Sequence, residues 1–69
     1  MDKEYLVFDL QKGLENERRA LESCRRLIGM IEDEEDRSVI EKIADDEVKH
    51  IRMVERLIEM TENHYTKEV

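Results

Sequence analysis

Apolar residues recur along this chain at intervals of three and four, the spacing of one face of an α-helix. In the first half, Leu6, Leu10, Gly13, Glu17, Leu21, Cys24, Ile28 and Ile31 keep that rhythm. Leu14, Ala20 and Leu27 widen it into a stripe broad enough to face a core. In the second half, Ile40, Ile43, Glu47, His50, Val54 and Leu57 repeat the pattern, widened by Ala44, Ile51 and Ile58. The run Glu32-Asp33-Glu34-Glu35-Asp36 between them has no apolar residue. Asp33 suits the N-cap of a second helix, and the acids after it complement the positive helix N-terminus. Arg25 and Arg26 come late in the first helix, where they suit its negative end. The pattern predicts helices over about residues 3–31 and 34–63 and a turn over about 32–35. The tail from Asn63 to Val69 loses the period and is expected to fray.

A tight turn near Asp33 makes the two helices antiparallel. Three members of the stripes are polar: Glu17 in the first, Glu47 and His50 in the second. Folding the chain back on itself brings all three to one level. Glu47 and His50 form a Glu-x-x-His step, and residues three apart share a helix face, so both can reach one metal ion.

The chain has 69 residues, too few for a single core to supply more than a few kcal/mol without a staple, a metal or a partner. One cysteine rules out an internal disulfide, which leaves metal or oligomerisation as support. A lone thiol fits a reducing cytoplasm, and the absence of a basic region followed by an apolar run argues against secretion. No apolar stretch approaches a membrane span. The net charge of −7, with both signs intermixed, argues against nucleic acid as a partner. The absence of proline and the supply of Glu, Leu, Lys, Arg, Ile and Met favour helix throughout. Glu15–Arg19, Glu22–Arg26 and Asp45–Lys49 are spaced to pair along the helices.

In so glutamate-rich a chain, Glu-x-x-His alone carries little weight. The alternatives are a helix-edge histidine and two boundary glutamates whose stems pack while their heads reach water. The conjunction is stronger, because burying carboxylates costs several kcal/mol each unless a cation or hydrogen bonds compensate. One hairpin supplies only three ligands. A two-fold dimer would supply four carboxylates and two histidines, with Glu17 bridging or capping two ions and Glu47 and His50 terminal on each side. The expected fold is therefore all-α: one antiparallel two-helix hairpin over residues 1–69 that dimerises into a four-helix bundle. Mixed oxygen and imidazole ligation suits iron or manganese, two ions per dimer, and zinc could occupy the site opportunistically.

Gly13-Leu14-Glu15-Asn16-Glu17-Arg18-Arg19-Ala20 and Ile43-Ala44-Asp45-Asp46-Glu47-Val48-Lys49-His50-Ile51 resemble the first helix pair of rubrerythrin and other ferritin-like proteins. The resemblance runs from about residue 6 to residue 60. With two helices instead of four, the chain is similar to half-length members such as the encapsulated ferritins, which build a di-iron ferroxidase site between two subunits. That likeness implies Glu17, Glu47 and His50 as iron ligands and oxidation of Fe(II) by dioxygen or peroxide. It also allows rings of dimers. The chain departs from full rubrerythrins in having no Cys-x-x-Cys pair, so peroxidase turnover would need an external electron donor. Cys24 stands where rubrerythrin-like sequences often carry a tyrosine, and a small buried apolar residue is the plainer reading. No encapsulin-targeting extension is recognisable after the second helix.

Two rivals stand beside this reading: a purely structural hairpin that pairs through its stripes, and a metal-stabilised module without turnover. Met30, Met53 and Met60 are expected to fill gaps at or beside core positions. His64 lacks the motif, since Thr61 lies upstream of it. Tyr5, Phe8 and Tyr65 are too few and too terminal for a nucleic-acid stacking surface.

Overall fold

The computed structural model describes residues 2–64 and folds them into two long helices, α1 (Lys3–Met30) and α2 (Glu34–His64). They lie side by side as an antiparallel hairpin with extents of 53 × 15 × 13 Å. The expected all-helical fold is observed, and among the described residues there is no strand. Both helices extend close to the expected bounds. Asn63 and His64 continue α2 instead of fraying, and residues 65–69 of the expected tail lie outside the described residues.

Each helix start is capped by an aspartate. Asp2 sits in extended backbone, and its Oδ1 accepts from the Glu4 amide at 3.2 Å. Asp33 acts as expected, its Oδ2 accepting from the Asp36 amide at 2.9 Å while its carbonyl accepts from the Arg37 amide at 3.0 Å. The connection is only Ile31, Glu32 and Asp33. Ile31 turns out of the helix with φ −92° and ψ 126°, and among the described residues none has positive φ. The chain therefore reverses without a left-handed glycine, and Gly29 is simply helical.

The end of α1 departs from expectation. Its last turn holds no basic residue, because Arg25 and Arg26 lie a turn too early. Arg26 instead reaches Glu22 at 3.6 Å and donates to Ser23 Oγ at 3.3 Å. Arg37 of α2 takes over the free carbonyls: Nε and Nη2 donate to the Ile31 oxygen at 3.2 and 3.0 Å, and Nη2 to the Glu32 oxygen at 3.4 Å. A cation from the next helix thus satisfies carbonyls of the connection, and it holds the turn closed.

Packing between the helices is thin. Leu14, Leu21 and Ala44 are the buried apolar residues among those described, and no side chain is fully enclosed. Thr61 is buried too, its hydroxyl donating back to the Leu57 carbonyl at 2.8 Å. Met30 and Met53 do not fill core gaps: they are 75% and 63% exposed, because two helices can cover only one side of each other. Cys24 is half-buried and free. Among the described residues, no helix is long and apolar enough to cross a membrane.

We expect Asp33→Ala to cost about 1 kcal/mol, the usual loss for an N-cap, with the first turn of α2 losing amide protection before the rest. Urea denaturation and hydrogen exchange would measure both. Unchanged stability would mean that the Arg37 contacts alone hold the turn.

Candidate metal centre

Glu17 lies near the middle of α1, and Glu47 and His50 lie near the middle of α2, where no end can fray. The hairpin brings them together as the stripes require. One ligand atom from each lies within 4.8 Å of the other two. Donors held about 2.1 Å from a common ion would lie within roughly 4.2 Å of one another. Small side-chain rotations would therefore close this set around an ion.

The surroundings are unusual for two glutamates. Oε2 of Glu17 and Oε2 of Glu47 are both shielded from solvent, and neither accepts a hydrogen bond. His50 Nδ1 stands 3.4 Å from Glu17 Oε2, close enough for an ion pair but without hydrogen-bond geometry. Among the described residues, no arginine or lysine comes within ion-pair distance of either carboxylate. Arg18, next to Glu17 in sequence, turns away and pairs with Glu55 at 3.0 Å. Shielded acceptors without a partner are rare in folded proteins and call for a cation or a proton.

The titration of Glu47 carries the same message. Its carboxyl is held above the ordinary glutamate range, chiefly because a protonated Glu47 would hydrogen-bond to Glu17. Burial and the negative charge of Glu17 push the same way, His50 opposes them, and Asp46 adds a smaller upward push. The influence of Asp46 is one that the stripe pattern did not single out, although its adjacency to Glu47 was in plain view.

All three expected ligands thus meet, but the set is open. The His50 side chain is 58% exposed and that of Glu17 31%. Carboxylate oxygens with one imidazole nitrogen suit iron, manganese or zinc better than a soft metal. Three donors leave coordination positions free. The chain matches no protein-family model, no curated protein and no solved structure.

A glutamate whose folded pKa is raised adds stability below its unfolded value, near 4.3, and that contribution disappears as pH climbs through the folded value. In metal-free protein, Glu47→Gln removes this dependence. We therefore expect the variant to gain on the parent, in urea midpoint, as pH rises from about 4 to about 7. A gap that stays constant with pH would show that the two carboxyls do not share a proton.

Proposed function

We propose that the chain is a di-iron carboxylate protein that binds Fe(II) between two copies and oxidises it with dioxygen or peroxide, in the manner of a ferroxidase. The observation that carries this reading is the pair of shielded, unpartnered oxygens on Glu17 and Glu47 beside His50. Two divalent ions would neutralise four such carboxylates in a dimer, and nothing else described near them offers positive charge apart from His50. The likeness to ferritin-like helix pairs supports the same assignment, and a reducing cytoplasm would supply ferrous iron.

Each chain's residues have distinct tasks. Glu17, from both copies, would bridge or cap the ion pair. Glu47 and His50 would hold the terminal positions and leave the remaining ones to the oxidant. Iron enters as substrate: each of two Fe(II) ions gives up one electron. Dioxygen takes both with two protons and leaves as hydrogen peroxide, or peroxide takes both with two protons and leaves as two waters. Iron binding would favour the ionised form of Glu47, whose carboxyl the metal-free site holds above the ordinary glutamate range.

A second reading, a structural hairpin without metal, draws support from the apolar residues left exposed, Ile43 and Leu57 among them. It explains those residues but not the two unpartnered carboxylates.

Anaerobic titration of metal-free protein with Fe(II) should saturate at about one iron per chain, and admitting air should bring up ferric absorbance. Glu47→Ala should abolish saturable binding, and iron should raise the urea midpoint of the parent but not of the variant. Saturation without oxidation would leave a binding module. No saturable binding, with Glu47→Ala as stable as the parent or more so, would leave the structural hairpin.

A further inference from the structure

We propose that the outer side of α2 around Met53 docks a short acidic segment of another protein, one that carries an apolar side chain among its carboxylates. This surface stands apart from the carboxylate–histidine site and does not depend on iron.

Met53 is nine positions from the buried Ala44, so it lies roughly 180° round α2 from the side that meets α1. It is 63% exposed, and a lone exposed methionine would call for no explanation. Its surroundings do. Lys49 stands four positions before it, Arg56 three after it and Leu57 four after it, all neighbours on a helix surface, and Arg52 adjoins it in sequence. Arg52, Met53, Arg56 and Leu57 border a shallow hollow whose walls are almost wholly apolar. The arginine stems therefore belong to the wall, and the guanidiniums stand at its rim.

The cations of this patch are unclaimed. Asp45 and Lys49, spaced to pair, do not come within ion-pair distance, and among the described residues no carboxylate does so for Lys49, Arg52 or Arg56. Glu55, the acid between the two arginines in sequence, is engaged by Arg18 of α1 at 3.0 Å. The other places where an apolar or basic surface is exposed lack this combination. On α1 a basic run extends from Arg18 to Arg26, but Arg18 and Arg26 each hold a carboxylate, and no exposed large apolar residue lies inside it. Phe8 is exposed too, yet Lys12 already covers its ring, with Nζ 5.0 Å from the centroid.

Charge and size select the occupant. Guanidiniums take carboxylates in paired hydrogen bonds, and arginine with methionine is the composition enriched at protein interfaces. The patch from Lys49 to Leu57 rises only about 12 Å along the helix, the reach of a short segment. The chain as a whole carries a net charge of −7, which repels an extended polyanion such as nucleic acid or an anionic membrane. A compact acidic segment touches the patch and avoids the rest. Its apolar side chain fills the hollow while its carboxylates reach Arg52, Arg56 and Lys49.

The test uses a labelled helical peptide of about 15 residues, alanine and glutamate around two leucines four positions apart, and its counterpart with lysine for glutamate. Fluorescence anisotropy on the metal-free full chain at about 50 mM salt should show saturable binding of the glutamate peptide, with Kd below about 1 mM. Arg52→Glu combined with Arg56→Glu should weaken it at least about tenfold, while Arg19→Glu with Arg25→Glu, the same charge change on α1, should alter it less than about twofold. In methionine-methyl NMR the Met53 signal should shift and that of Met30, 75% exposed beside the acidic turn, should stay. If circular dichroism shows the first double variant to lose helix, Arg52→Gln with Arg56→Gln carries the test in the same direction. No saturation, equal binding of the lysine peptide, an equal loss from the α1 variant or an unmoved Met53 signal overturns the proposal. Tighter binding through Arg52 and Arg56 to phosphatidylglycerol vesicles or to a DNA duplex also overturns it, in favour of a membrane or nucleic acid.

Discussion

Glu17 and Glu47 approach each other across the helix pair with a shielded oxygen apiece and, among the described residues, no arginine or lysine in reach, and much of the hairpin is arranged around that encounter. Two ionised carboxylates in such a position repel, and burial strengthens the repulsion. The raised pKa of Glu47 is one partial relief, since a shared proton removes a charge. The proposed metal would be a fuller one, since it would offset both charges and use the imidazole already in place. The chain has arginines close by in sequence, yet Arg18 turns to Glu55 on the far face and gives the carboxylates no counter-charge.

The same economy of contacts explains why the hairpin looks unfinished. Two helices cover one side of each other and no more, so Leu14, Leu21 and Ala44 are buried while Leu27, Ile43 and Leu57 stay near half exposed. In a four-helix arrangement each helix has two neighbours about a quarter-turn apart, and the two apolar directions on α1 and α2 have about that separation. Under the proposed dimer, stability and ligand supply would be met by the same addition. Arg37 has a more local role, tying the end of α1 to the start of α2 so that the stripes meet in the alignment that brings the three ligands level.

The two helices, the Asp33 cap and the common level of Glu17, Glu47 and His50 were legible because each depends on spacing along one chain. Period sets the faces, the acidic break sets the turn, and a tight turn sets which residues lie opposite. The roles of Arg37 and Arg18 were not legible. Arg37 looks like any basic residue in a helical first turn until the Ile31 carbonyl is seen beside it, and the Arg18 pair spans 37 positions. Arg25 and Arg26 misled because a helix-end effect falls off within one turn, and α1 runs on to Met30. Met30 and Met53 misled for a related reason: an apolar residue beside a stripe is buried only if a neighbour exists on that side.

By itself the sequence determined an all-helical hairpin, its turn and the alignment of two glutamates with a histidine, because these follow from 3.6 residues per turn and a short connection. Only the tertiary structure decided that the carboxylate oxygens are shielded and unpartnered, that Arg18 pairs with Glu55 and that Arg37 reaches the Ile31 carbonyl. Those properties depend on how the helices are rotated against each other and on where each long side chain goes. Such choices are made by packing and by competition among many possible ion pairs, and no spacing along the chain encodes them.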